Sequence, residues 1–402
     1  MDNFKNPFRP GAGHLPPYLA GRQIQLDDFK QNILTQEPIL KNLIISGLRG
    51  VGKTVLLDTL KPLALKEGWI VAGTDLSESA SVSEANFSTR LLTDLASAVS
   101  NIVLSTQEIT SIGFQGKTER VEHHLNYEIL NYIYKSTHGL ESDKLKAVIK
   151  FIWEVCQKHA KGIILAYDEA QNLKDTKEDK QYPLSLLLEI TQHAQKNGLP
   201  VLLILTGLPT LLTNLVEART YSERMFHQTI LNRLSPEDSR EAIVRPIADQ
   251  NCPVKLTTEA VDQIIEHSGG YPYFIQYICK ETYDALIQQQ AMGVPLSDIP
   301  IRIDEIIRKL DIDFYQARWN RATDKQRNLL NVIAQLDNAE AEFSMKDIEV
   351  AMKSSGSKVS ASAINVMLKA LTEAGLLYKT RHGFYSFAVP MLSHFVKREM
   401  GE

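Results

Sequence analysis

Eight consecutive residues carry the clearest chemistry in the chain. Gly47-Leu48-Arg49-Gly50-Val51-Gly52-Lys53-Thr54 fits the phosphate-binding pattern G-x-x-x-x-G-K-[ST] at every fixed position. Each fixed residue type has a physical task. Glycines at 47, 50 and 52 let backbone N–H groups turn inward on a phosphate, Lys53 brings a cation to the β and γ oxygens, and the Thr54 hydroxyl is an oxygen ligand for Mg²⁺. Val55 continues the segment into a helix whose positive end faces the same anion. In this setting the pattern implies a site for ATP with Mg²⁺ rather than an ordinary glycine-rich turn.

A second group comes from acids and their neighbours. Asp168 and Glu169 end the apolar run Lys161–Tyr167, where a doubly wound sheet presents residues to its ligand. Asp168 is placed to hold magnesium through water and Glu169 to polarise an attacking water, so the pair points to hydrolysis; two acids capping a helix start are the plain alternative. Gln171 reads either as a second water-orienting group or as a helix-start residue. Thr206 ends the next apolar run and is either a γ-phosphate sensor or an ordinary strand-ending threonine. Arg224, and less directly Arg219, has the charge to stabilise a transferred phosphoryl group, in the same chain or across a subunit contact.

These residues need elements to hold them. Lys41–Ser46 is a short β-prone run, and Thr54–Leu60 has helical spacing, which gives strand, loop, helix around the phosphate pattern. Trp69–Asp75, Gly162–Asp168 and Pro200–Gly207 supply further apolar strands. Helices are expected from about Ser83 to Val103 and from Leu184 to Gln195, and residues 105 to 145 are polar and unassigned. Strands buried on both faces and alternating with helices mean a parallel sheet. From Ser235 onward the pattern is helical, with capped starts at Ser235, Thr257, Thr323, Ser344 and Ser360, a proline start at Pro272, and a connecting helix from about Ile303 to Ala317. Two strands around a His382-Gly383 turn then complete three helices and a hairpin. The fold class read from this order is α/β: a P-loop NTPase with a parallel sheet sandwiched by helices, then an all-α lid and a C-terminal winged helix.

Bulk properties set the outer limits. The chain has 402 residues, 44% hydrophobic and 23% charged, with a formal net charge of −4. That balance argues against coating nucleic acid by bulk charge but allows a local basic patch. Cys156, Cys252 and Cys279 are odd in number and lack zinc spacing, so reduced thiols in a cytoplasmic protein are expected. No apolar leader or membrane-length run is present, and no membrane partner is expected.

Taken together, Gly47–Thr54, Asp168-Glu169, Thr206, Leu234-Ser-Pro-Glu-Asp238, Gly270-Tyr-Pro272 and the terminal helix-hairpin arrangement resemble the AAA+ ATPases of the origin-recognition and replication-initiator type. They overlap with the related STAND and archaeal-ATPase groups. The resemblance covers nearly the whole chain. It implies an N-terminal strap and first helix at 1–40, with Gly21-Arg22 against the adenine, and an ATPase core at 41–233. It further implies a helical lid at 234–300, with Pro272 closing on the base, a connecting helix at 301–322 and a winged helix at 323–402. Two departures bear on rate. The usual lid arginine is not evident near Gly269, and Thr206 stands where many relatives carry Asn, which moves the expectation from vigorous ring-type hydrolysis to a slow nucleotide switch.

The winged helix has two partner classes. Ser362, Asn365, Lys369 and Thr372 on its third helix, Lys379, Arg381 and His382 on the wing, and Lys346, Lys353, Lys358, Lys397 and Arg398 nearby suit double-stranded DNA. The thin charge of that face suits a protein partner instead, as in a signalling ATPase. A homo-oligomer fits either reading. A nucleotide kinase is the third reading, disfavoured by Asp168-Glu169 and the Gly-x-Pro turn.

Overall fold

The computed structural model describes residues 5–11, 13–35, 41–110, 118–252, 255–291, 302–356 and 359–401. Prolines and glycines keep the strap irregular until α1 (Gln23–Asp28), which runs on into a π-helical turn at Phe29–Ile33. The α/β part then follows in order: β1 (Asn42–Gly47), α2 (Lys53–Lys66), β2 (Trp69–Ala72), α3 (Glu78–Ser81), α4 (Glu84–Val99), β3 (Val103–Thr110), β4 (Thr118–His124), α5 (Tyr127–Ser136), α6 (Glu141–Cys156), β5 (Gly162–Tyr167), α7 (Pro183–Lys196), β6 (Val201–Gly207), α8 (Thr210–Ala218) and β7 (Phe226–Leu231). The helical part comprises α9 (Pro236–Asp249), α10 (Thr258–Ser268), α11 (Pro272–Ala291), α12 (Ile303–Leu310) and the short α13 (Ala317–Trp319), which a π-helical turn at Asp311–Gln316 joins to α12. It ends with α14 (Asp324–Ala334), β8 (Phe343–Ser344), α15 (Met345–Ser354), α16 (Ala361–Glu373), β9 (Leu377–Arg381), β10 (Phe384–Phe387) and α17 (Leu392–Glu399).

The chain falls into two compact units. One is Ile24–Ser46 with Leu56–Ile230; the other is Met1–Gln23, Gly47–Val55 and Leu231–Glu402. The first is built on a five-stranded sheet of order β2-β5-β6-β1-β7, in which β2 pairs with β5, β5 with β6 and β6 with β1 in parallel. All residues of β1, β5 and β6 are buried. Alternate residues divide between the faces, as a period of two requires. Ile44, Ile163, Leu165, Tyr167, Leu203 and Leu205 join one core with Phe87, Leu91 and Leu95 of α4, Leu145 and Ile152 of α6, and Leu187 of α7. Their sequence neighbours Ile45, Ile164, Leu202 and Ile204 are equally buried without joining that cluster.

Three elements differ from the sequence expectation. The helix from Ser83 stops at Val99, and Val103 opens the antiparallel hairpin β3-β4, where its branched side chain suits extended backbone. Strand β7 has no uninterrupted apolar run: it is the sheet edge, and only its two end residues are buried. A last helix, α17, follows the hairpin.

In the second unit the expected caps are present. Ser235, Thr257, Ser344 and Ser360 accept from the amides of Asp238, Ala260, Asp347 and Ala363, and Thr323 and Gln326 form a capping box. The strap lies along α11: Asn6 donates to the Lys280 carbonyl at 2.8 Å, and Phe8 packs 5.5 Å from Tyr283 between ring centroids. Strand β8 follows α14, and β9 and β10 follow α15 and α16; the three strands form a sheet of order β8-β10-β9.

The core argument has a direct test. Leu165→Ala, at a fully buried position of β5, is expected to cost about 2–5 kcal/mol, read as a lower denaturant midpoint, whereas Ile230→Ala on the exposed edge costs about 0.5 kcal/mol or less.

Candidate functional site

The phosphate loop leaves β1 at Gly47, which β7 crowds: a Cβ there would run into the Leu231 carbonyl. Gly50 and Gly52 have φ of 78° and 90°, conformations that residues with a Cβ reach only under strain. A Cβ on Gly52 would meet nothing within 4 Å, so the loop is open at that point. Val51 is buried beneath it, and Lys53 and Thr54 begin α2.

The carbonyls of the loop are taken by donors from three places. Arg22 is buried and donates through Nη2 to Val51 O at 3.0 Å and to Asn232 O at 2.9 Å, and through Nη1 to Gly21 O at 3.2 Å. The amide of Tyr273, second residue of α11, donates to Gly50 O at 3.3 Å. Lys53 Nζ donates to Leu48 O at 3.0 Å. Three of the loop's carbonyls, those of Leu48, Gly50 and Val51, thus have donors. Pro272 opens α11 after Gly270, whose carbonyl accepts from Leu234 N at 2.8 Å, so the Gly-x-Pro turn is tied to the start of the helical region. The strap reaches the same loop: a Cβ at Gly13 would stand 3.4 Å from the Thr54 methyl.

The acidic residues are held in the α/β unit. Asp168 follows β5, is buried, and bonds through its amide to Thr74 O at 3.2 Å. Its Oδ1 accepts from the Glu169 amide at 2.7 Å and from the Thr206 hydroxyl, which also donates to Tyr167 O at 3.3 Å. Glu169 has φ 50° and ψ 34°, the left-handed region, which for a glutamate is strained. Gln171 donates to its carboxylate and accepts from Leu208 N at 3.0 Å, bridging β5's end to the turn after β6. Arg224 is exposed in the turn Ser222–Arg224, whereas Arg219 pairs with Glu189 at 3.5 Å.

Asp75 escaped the sequence reading. It pairs sideways with Asp168 in a parallel bridge, and burial, then the Asp168 charge, pushes its carboxyl above the usual carboxylate range. Its signal was its place at the end of the run Trp69–Asp75, the same place that Asp168 holds on its own strand. Gln171 was visible only as a local possibility, because its bond to Leu208 spans 37 residues.

The donor types suit the implied groups. The Thr54 hydroxyl is a hard oxygen ligand of the kind Mg²⁺ takes, and a glycine-rich loop with left-handed residues at 50 and 52 suits a polyphosphate. Among the described residues no group of three or more His, Cys, Asp or Glu is arranged to hold a metal. Among the described residues no helix is long and apolar enough to cross a membrane.

Known proteins place this geometry. Residues 312–396 match a family described as a domain of unknown function (DUF8462). No curated protein matches the sequence. Among solved structures, a Walker-type ATPase of Pyrococcus abyssi is similar with a TM-score of 0.57 and 15% identity, over 94% of this chain and 96% of that one. The ORC2 protein of Aeropyrum pernix in its ADP form is similar with a TM-score of 0.55 and 14% identity, over 98% of this chain and 100% of that one. The same protein in ADPNP-ADP complexes gives 0.53 and 14%, over 97% of each chain. At these identities the likeness concerns the fold, which this chain shares with that Walker-type ATPase and with the ORC2 protein.

Proposed function

We propose that the chain is an ATP- and Mg²⁺-dependent ATPase that acts as a slow nucleotide-controlled switch, with a winged helix that engages double-stranded DNA. The observation that carries the nucleotide reading is the loop Gly47–Thr54, in which the carbonyls of Val51, Gly50 and Leu48 accept from Arg22, Tyr273 and Lys53. The ORC2 structures similar to this chain are complexes with ADPNP and ADP, which supports a nucleotide here. In this reading the amides from Leu48 to Val55 surround the phosphates and Lys53 leaves Leu48 for their oxygens. Thr54 contributes a hydroxyl to the ion. Asp168 holds the ion through water, and Thr206 acts by orienting that carboxylate. Glu169 polarises the attacking water, positioned by Gln171. Gly21-Arg22 and Pro272 stand on the base side. Arg224, exposed, suits service to a neighbouring copy in a homo-oligomer. The regions 1–40, 41–233, 234–300, 301–322 and 323–402 then act as strap, core, lid, connector and winged helix.

For the winged helix, Ser362, Asn365 and Lys369 on α16 and Lys379 and His382 on the wing are exposed and supply the DNA reading. A protein partner is favoured by a specific finding. Arg381 is bound to Glu342 through two N–H donors at 3.1 and 2.8 Å and lies 3.6 Å over the Phe384 ring, and Arg398 holds Asp311 at 2.9 and 2.6 Å. Both arginines are thus engaged within the fold, and Val366 on α16 is 67% exposed. Lys358 lies outside the described residues.

Three outcomes test these roles. Lys53→Ala is expected to weaken ATP binding about 100-fold or more; retention of near-normal affinity in a calorimetric titration overturns the loop reading. Glu169→Gln is expected to keep ATP affinity while turnover falls about 10²–10⁴-fold, and a joint collapse of both would make Glu169 structural. Lys379→Ala is expected to reduce the slope of log affinity for duplex DNA against log salt by about 1. Failure of the intact protein to bind any duplex at low salt, with or without ATP, decides for the protein partner.

A further inference from the structure

The strap is fastened at both ends. Its first end lies on α11, where Asn6 donates to Lys280 O at 2.8 Å and to Asp284 Oδ1 at 2.7 Å, the Arg9 amide donates to Gln276 Oε1 at 3.3 Å, and Phe8 is buried. Its second end is Ala20 with Arg22, both buried, and Arg22 bonds Val51 O and Asn232 O. Between them a third hold is at the surface. The Tyr18 hydroxyl donates to Glu241 Oε2 at 2.9 Å, and Arg245 Cζ lies 5.4 Å from the Tyr18 ring centroid. Glu241 and Arg245 are exposed residues of α9. Further along, Gly13 stands beside the phosphate loop, since a Cβ there would be 3.4 Å from the Thr54 methyl.

The residues from Gly13 to Gly21 suit a stiff arm. Pro16 and Pro17 fix two consecutive φ angles, so a displacement at Tyr18 is passed on to Gly13 rather than absorbed on the way. The turning points are the two glycines. Gly13 and Gly21 have φ of 72° and 61°, and a Cβ at Gly21 would come within 2.7 Å of the Asp238 carboxylate, so the arm swings from a point where glycine is required. The hold at Tyr18 is the weak one. One hydrogen bond and one cation–π contact at the surface are modest beside the buried foot at Arg22, and local opening starts where contacts are most exposed.

Thr54 carries the hydroxyl that meets Mg²⁺ in the pattern G-x-x-x-x-G-K-[ST], so the tip of the arm lies beside the place the ion and phosphates would take. We infer that Gly13–Arg22 is a latched arm that gates nucleotide exchange at Gly47–Thr54, with Tyr18 on Glu241 and Arg245 as the latch, an inference that rests on the nucleotide reading of that loop. Both latch partners lie on α9, outside the loop. Loosening them raises the open fraction for entry and exit alike, which speeds both directions and leaves their ratio nearly unchanged. A residue that gripped the nucleotide would change the ratio instead, chiefly through dissociation.

Stopped-flow fluorescence with N-methylanthraniloyl-ADP and Mg²⁺ on the full chain reads both rates. Tyr18→Phe removes the bond to Glu241 and keeps the ring beneath Arg245; Tyr18→Ala removes both. Association and dissociation rate constants are expected to rise together, about threefold for Tyr18→Phe and about tenfold for Tyr18→Ala, with Kd within about twofold of wild type. Glu241→Ala opens the latch from the exposed side of α9 and is expected to match Tyr18→Phe, which keeps the outcome independent of how well the strap variants fold. Unchanged rates in all three variants overturn the inference. So does faster dissociation with an unchanged association rate, which makes Tyr18 a binding contact, and so does weaker binding with a lower melting temperature without nucleotide, which makes it structural. Wild-type binding that Lys53→Ala abolishes establishes the loop independently, so that failure of the latch variants then counts against the gate alone; a wild type that does not bind the nucleotide overturns both.

Discussion

A loop that offers its amides to an anion must dispose of its carbonyls, and that requirement organises the helical unit. Buried backbone acceptors without partners cost about as much as a lost hydrogen bond. Here Val51 O takes Arg22, Gly50 O takes the Tyr273 amide and Leu48 O takes Lys53. The three donors come from the strap, from the start of α11 and from the loop's own end. The phosphate loop is therefore a shared product of segments more than 200 residues apart in sequence, which is why it groups with the strap and the helical region rather than with the strand that leads into it. Of the three bonds, only that of Lys53 is made by a group a phosphate would also claim. A bound polyphosphate would leave the Arg22 and Tyr273 supports in place while taking Lys53 away from Leu48.

The acidic side obeys a different constraint. Asp168 is buried beside Asp75, and a carboxylate without compensation there would be costly. The Glu169 amide and the Thr206 hydroxyl both donate to the same oxygen, Oδ1. The next residue, Glu169, adopts φ 50°, so a strained backbone stands directly beside this ordered carboxylate. Gln171 fixes the outcome by bonding the Glu169 carboxylate with its amide nitrogen and Leu208 N with its oxygen.

Much of this was legible in the sequence because its causes are local. Strand, loop and helix around Gly47–Thr54 follow from apolar runs and fixed glycines, and Ser235, Thr257, Ser344 and Ser360 cap helices through amides three residues on. Elements at the boundary of the sheet were not legible. Strand β7 carries three consecutive polar residues, His227-Gln228-Thr229, as a strand at the sheet edge can, and the hairpin β3-β4 gains its register from cross-strand pairing that composition does not encode. The site shows the same division. Lys53, Asp168 and Glu169 announce themselves by spacing. The brace at Arg22 depends on Asn232, 210 positions away, and nothing near residue 22 signals it.

Charge is where counting residues and seeing them part company most. On the sequence, Arg381 and Arg398 belong to one basic neighbourhood with Lys379 and Lys397. In the structure Glu342 and Asp311 occupy both arginines, and the Glu342 carboxyl is held below its usual range chiefly by its bond to Arg381. Because Glu342 and Arg381 are exposed enough for water and salt to screen them, the pair adds little stability; its effect is to fix the guanidinium against Phe384.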